Sequence, residues 1–186
     1  MRIIAGKANG RKLKTLQGLS TRPTSDKVKG AIFSVLGDRV ADAKVLDLFA
    51  GSGALALEAL SRGACCAVLV DKSFGACQVI RENCAITGFT SCARVLNKDG
   101  EAALRVLEGE IFDLIFIDPP YRLGLSLKSL EFLVRGNYFA PNAVIIVETS
   151  REEVLPVEIG NLSLCKQSRY GDTVIRYYQP METGGN

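Results

Sequence analysis

Lys44-Val45-Leu46-Asp47-Leu48-Phe49-Ala50-Gly51-Ser52-Gly53 is an apolar run that carries one acid and ends in a glycine turn. Residues 44–49 read as a buried strand. Gly51 and Gly53 permit a tight turn and let a ligand approach the backbone, and a helix-like stretch near 53–62 follows. Strand, glycine turn and helix open a βαβ unit, and the alternation continues downstream. Strand-like runs fall at 66–71, 93–96, 111–117 and 143–148, separated by helix-like stretches near 73–87, 99–108 and 126–136. Continuously apolar strands of this kind imply a parallel sheet covered on both faces. The end of the chain differs: 161–168 and 173–179 are strand-like, with Arg169-Tyr170-Gly171-Asp172 between them, and read as a closing antiparallel hairpin. The expected fold is α/β: a Rossmann-like sheet of seven strands whose last hairpin is antiparallel.

Upstream of the first strand the pattern is different. Residues 2–5 and 12–16 carry β-formers around the turn signal Asn9-Gly10, which predicts a basic N-terminal β-hairpin. Thr24 or Ser25 can cap a helix in which Val28, Ile32, Val35 and Leu36 recur at helical spacing and which Gly37 ends. The division expected is a hairpin extension over 1–20, a catalytic domain over 21–180 and a disordered tail over 181–186. Net charge is +3, but residues 1–30 carry +7 and the remainder −4. A basic end on a mildly acidic body suggests a polyanion contact there, although a solvated surface would look the same.

The bulk composition narrows the chemistry. At 186 residues, 47% hydrophobic and 23% charged, the chain suits one globular domain with a full core. No apolar run approaches a membrane span, and the N-terminus lacks a secretory apolar stretch, so a cytoplasmic protein is expected. The six cysteines include no C-x-x-C pair and read as reduced packed thiols, with no metal site expected. There is no histidine, which excludes Ser-His and Cys-His catalysis and the usual zinc ligand sets.

The glycine turn alone, read as G-x-G-x-x-[GA] to Ala56, fits nicotinamide enzymes as well, with Asp71 about twenty residues on as a ribose acid. Asp47 separates the two readings. A carboxylate just before the glycines would oppose the pyrophosphate of NAD. It suits the ammonium of S-adenosylmethionine (SAM), which carries no phosphate. Asp71 ends the second strand and can accept ribose hydroxyls. Asp99 follows the third strand and can meet the adenine amine or cap a helix instead.

The second informative segment is Asp118-Pro119-Pro120-Tyr121, at the end of the fourth strand-like run. Open α/β sheets bind ligands at such ends, and two prolines fix the loop before substrate arrives. An aromatic NH2 is a poor nucleophile because its lone pair is delocalised. The Asp118 carboxylate and the Pro119 carbonyl can each accept one N–H, which holds the lone pair toward a sulfonium methyl and stabilises charge developing on nitrogen. Tyr121 can stack on the base.

These segments resemble those of class I SAM-dependent methyltransferases. Arg2-Ile3-Ile4-Ala5-Gly6, Gly10-Arg11-x-Leu13, Thr21-Arg22-Pro23-Thr24-x-Asp26, Ile32-Phe33-x-x-Leu36 and Tyr170-Gly171-Asp172-Thr173 resemble the bacterial RsmD-type family over roughly residues 1–179. The resemblance implies methylation of the exocyclic N2 amine of a guanine in small-subunit (16S) ribosomal RNA, within a partly assembled subunit, by a monomer. Asp118, Pro119 and Tyr121 are the candidate catalytic residues. Candidate cofactor contacts are Asp47, Phe49, Ala50, Gly51, Gly53, Asp71, Lys72, Asp99 and Thr24. Candidate RNA contacts are Arg2, Lys7, Arg11, Lys12, Arg22, Arg122 and Tyr170. One departure from the family pattern is Asn97-Lys98-Asp99, where a more apolar approach to the acid is expected. Composition and spacing alone give amine methylation beside a basic surface. An adenine-N6 enzyme, a glutamine-N5 protein methyltransferase (which usually has Asn at position 118) and a non-catalytic RNA-binding module remain as alternatives.

Overall fold

The computed structural model describes residues 1–15, 25–120 and 124–181. Helix α1 (Asp26–Leu36) begins where Ser25 Oγ accepts the Val28 N–H at 3.2 Å, and Gly37 closes it at a positive φ of 52°. Strands β1 (Lys44–Asp47), β2 (Cys66–Asp71), β3 (Ala93–Asn97) and β4 (Phe112–Ile117) then alternate with helices α2 (Ala54–Ser61), α3 (Phe74–Thr87) and α4 (Gly100–Val106). Helix α5 (Leu125–Gly136) leads into β5 (Phe139–Ser150), and β6 (Glu158–Ile159), β7 (Leu162–Tyr170) and β8 (Thr173–Pro180) finish the chain.

All eight strands form one sheet in the order β3-β2-β1-β4-β5-β8-β7-β6. The first five pair in parallel; β8 is antiparallel to β5 and β7 to β8, so the closing hairpin is as expected. The eighth strand is β6, two residues antiparallel to the start of β7 and too short to leave a periodic signal. Strand β5 starts earlier than the apolar run 143–148 because it tolerates Pro141-Asn142. The register with β4 shifts across that stretch and β8 pairs only from Ile145 onward, so Pro141 interrupts no ladder.

Alternation along the strands feeds two cores. Val45, Leu69, Leu114, Phe116 and Ile146 face α1, α2 and α3, whereas Leu46, Val68, Val70, Ile115 and Ile145 face α4 and α5. The strand order reverses between β1 and β4, and the carboxyl ends of strands at such a reversal are where open α/β sheets bind ligands.

The N-terminal segment pairs antiparallel as expected, but a single bridge, Arg2 with Lys12, replaces two strands. The segment is too short to enclose a core of its own and docks on α2 instead. Ile3, Ala8 and Leu13 are buried in the core on that side. The Ile4 and Ala5 N–H groups donate to the Glu58 carboxylate at 2.8 and 3.1 Å, and the Ala8 N–H donates to Ser61 Oγ at 2.9 Å. Glu58 is buried within an otherwise apolar helix, offset by Arg62 Nε at 2.8 Å and Lys29 Nζ at 3.4 Å. No helix among the described residues is long and apolar enough to cross a membrane.

Candidate functional site

The opening between β1 and β4 holds both informative segments. Asp47 lies opposite Phe116 and Leu69 in the ladders, so Asp118 and Asp71 each follow two residues past its neighbours. Beyond Asp47 the backbone stays tied to both strands. The Leu48 N–H donates to the Phe116 carbonyl at 3.1 Å and the Ala50 N–H to the Val70 carbonyl at 2.8 Å. The glycine loop therefore crosses the carboxyl end of β2. Gly51 and Gly53 have φ of 57° and 80°; at Gly53 a Cβ would also come within 3.0 Å of Leu69, so the turn requires glycine there on both counts.

Asp47 is 2% exposed, and its Oδ1 has no hydrogen-bond partner among the described residues. Burial pushes its carboxyl up to about 7; the Phe49 and Ala56 backbone amides oppose the rise and the Asp71 charge adds to it. An unmatched, desolvated acceptor beside a glycine loop fits a bound ammonium, as the methionine end of SAM would supply. The loop around Gly51 leaves open space where a side chain would have stood.

Asp71 has a bracing role that the sequence did not signal. Its Oδ2 accepts the Gly51 N–H at 2.9 Å and its Oδ1 the Ser73 N–H at 2.8 Å, so one carboxylate braces the glycine loop and the start of α3. Each oxygen keeps a lone pair for a ribose hydroxyl. Asn97, part of the segment that departs from the family pattern, has a structural reason. Its Nδ2 donates to the Asp71 and Lys72 carbonyls at 3.1 and 3.0 Å and holds the turn on which both sit. The Lys72 side chain is exposed. Asp99 caps α4, its Oδ1 accepting the Ala102 N–H at 2.8 Å, so that reading holds whether or not its other oxygen meets a ligand. Half-buried Phe49 lies 3.7 Å from where a Cβ on Gly100 would stand, so its ring fills the space between the first loop and the start of α4.

Asp118 is half-buried and Pro119 buried at the end of β4. Tyr170 is half-buried at the end of β7, and because Thr173 pairs with Ser150 the Tyr170–Thr173 turn lies at the same edge of the sheet. Thr24, Arg22, Tyr121 and Arg122 lie outside the described residues.

The basic side chains of the first segment are spread along α2. Met1 meets Ser52 Oγ through its sulfur at 3.3 Å, whereas the Lys7 N–H donates to the Ser61 carbonyl at 2.7 Å. The Met1 side chain thus lies at the start of α2 and the Lys7 backbone at its end. Arg2 is ion-paired with Asp26 at 3.1 Å; Lys7, Arg11 and Lys12 are exposed. Sequence reasoning missed Glu58, Ser61 and Asn83, which hold this segment in place. For Glu58 the signal was present: one acid inside Ala54-Leu55-Ala56-Leu57-Glu58-Ala59-Leu60.

A family model described as "Conserved hypothetical protein 95" matches residues 1–179. YlbH of Bacillus subtilis is 40% identical over 182 residues, covering 96% of this chain and 98% of its own. Ribosomal RNA small subunit methyltransferase D of Escherichia coli K12 is 38% identical over 179 residues, covering 96% of this chain and 89% of its own. The solved structure of the yhhF protein of Escherichia coli superposes with a TM-score of 0.87 at 39% identity, covering 97% and 98% of the two chains.

Proposed function

Because the chain belongs to the RsmD-type family of SAM-dependent methyltransferases, we propose that it methylates the N2 amine of one guanine in small-subunit ribosomal RNA, within a partly assembled subunit. The observation that carries this reading is the juxtaposition at the sheet's opening. A buried carboxylate with an unmatched oxygen ends β1, and a proline-fixed acid ends the neighbouring β4. The first suits the ammonium of SAM and the second an amine that must be held. The name of the Escherichia coli relative supplies the ribosomal RNA and its subunit.

SAM, when bound, supplies a sulfonium-activated methyl group. Asp47 accepts the ammonium, Asp71 takes the ribose hydroxyls on its remaining lone pairs, and Phe49, Ala50, Gly51 and Gly53 shape the loop. Lys72, Thr24 and the outer oxygen of Asp99 complete the cofactor contacts. Asp118 and the Pro119 carbonyl each accept one N–H of the guanine amine, and Tyr121 stacks on its ring. Arg2, Lys7, Arg11, Lys12, Arg22, Arg122 and Tyr170 hold the RNA backbone while the base leaves its stack. The protein works in the cytoplasm as a monomer.

The deciding experiment incubates the purified protein with unmethylated small-subunit RNA, free and in pre-assembled particles, and methyl-labelled SAM, then analyses the nucleosides by mass spectrometry. N2-methylguanosine is expected. Label in N6-methyladenosine, or in protein only, would replace this reading with one of its rivals.

A further inference from the structure

Asn83 sits on α3, fully buried, and belongs to neither the glycine loop nor the basic segment, yet it is bonded to both. Its Oδ1 accepts the Lys14 N–H at 2.8 Å and its Nδ2 donates to the Lys14 carbonyl at 3.0 Å. The side-chain amide thereby pairs with that residue's backbone as a neighbouring strand would. The second N–H of the same Nδ2 donates to the Ser52 carbonyl, between the two glycines, at 2.8 Å. All three amide groups are used, and none can be replaced by water at a fully buried position without cost. Two further contacts run the same way. Ser52 Oγ meets the Met1 sulfur, and Glu58, on the helix that the loop opens, holds the Ile4 and Ala5 amides.

From this geometry we propose that Asn83 is a positioning residue that couples RNA engagement to cofactor binding. RNA held by the N-terminal segment fixes Lys14, Lys14 fixes Asn83, and Asn83 fixes the Ser52 peptide of the cofactor loop. Each ligand then binds a partner that the other has already ordered, so each raises the other's affinity by the same factor. This rests on the functional reading above, in which the basic segment meets RNA and the glycine loop meets SAM. An amide is suited to the post because it offers both donors and an acceptor. A carboxylate at 83 would lose both donors and face two carbonyl oxygens.

The test measures the dissociation constant of S-adenosylhomocysteine with and without saturating unmethylated small-subunit RNA, for the parent and for Asn83→Ala. The parent should bind the cofactor product about fivefold or more tightly with RNA present. Asn83→Ala should still bind each ligand alone, with that factor falling close to one. If the residue only supports the fold, the variant will melt earlier and bind both ligands more weakly with the factor unchanged, which overturns the proposal. A parent that binds RNA with no effect on cofactor affinity overturns it too. A parent that binds no RNA refutes the functional reading itself, and the coupling falls with it. Should Asn83→Ala fail to fold, hydrogen exchange on the parent decides: RNA alone should slow the amides of residues 51–54, and unchanged exchange there would sink the idea.

Discussion

Keeping a carboxylate ionised at 2% exposure, with one oxygen unmatched, is costly unless a cation arrives. Asp47 is therefore where pH should act on the site. Its carboxyl is raised to about 7 in the folded protein, against about 3.9 in an unfolded chain. The folded state holds the extra proton between those values, so this group's contribution to stability falls as pH climbs through that window and levels off above about 7. Ionised Asp47 is the form that meets an ammonium, so SAM affinity should rise with pH up to about 7, by at most about tenfold per unit. Titration calorimetry of SAM from pH 5.5 to 7.5 checks this, and Asp47→Asn should bind weakly with no acid limb; a parent flat across that range would remove Asp47 from the cofactor contacts. Asp118 answers to a different test. Asp118→Ala should cost about 3–4 kcal/mol in the transition state, a hundredfold or more in rate, with SAM affinity nearly unchanged. Turnover above a tenth of the parent's would show that the amine is held elsewhere.

The N-terminal segment shows how a short element without a core of its own becomes part of the fold. Its two arms are joined by the Arg2–Lys12 bridge and by backbone bonds from the Ile3, Gly10 and Leu13 N–H groups to the Arg11, Ile3 and Met1 carbonyls, and Glu58, Ser61 and Asn83 hold it to α2 and α3. Burial pulls the Lys29 ammonium below its usual range while Glu58 and Asp26 oppose the shift, so the Glu58 charge is what lets Lys29 stay charged. Glu58→Ala would leave the Arg62 guanidinium and two backbone amides without their acceptor, and Lys29 with only the Arg2 carbonyl and Asp26 to face. It should destabilise the protein by about 3–5 kcal/mol, measured as a fall in the denaturant midpoint. A loss under about 1 kcal/mol would show that Ser61, Asn83 and the apolar contacts hold the segment without Glu58. For the same reason, removing residues 1–18 should lower stability as well as RNA binding, and side-chain substitutions are the cleaner probe of the latter.

Across the whole molecule the charge is divided, +7 over residues 1–30 and −4 over the rest. Replacing Arg2, Lys7, Arg11 and Lys12 with Ala should leave SAM binding intact and weaken RNA binding. With about four cations no longer neutralising phosphates, fewer counterions leave the RNA on binding, and the log-log salt slope should flatten by roughly 3 units. RNA affinity at several salt concentrations measures it, and a slope equal to the parent's would make the basic segment a solubilising surface only. Lys7 stands at the far end of α2 from Met1 and the glycine loop, so an RNA that touches both must run along the helix. Lys7→Ala alone should then remove about one unit of slope without changing the rate on bound RNA.

By itself the sequence determined the parallel sheet, its closing hairpin and the placing of both informative loops, because buried strands are continuous apolar runs and the loops follow them directly. Asp47 and Asp118 were legible for the same reason: an acid at the end of an apolar strand stands out locally. What tertiary structure alone decided is how distant residues share one group. Asp71 braces Gly51 while ending β2, Asn97 supports Asp71 from β3, and Asn83 joins Lys14 to Ser52. A hydrogen bond between residues dozens of positions apart leaves no period in the chain. It is set when burial removes water and each buried donor and acceptor must find a partner in the fold.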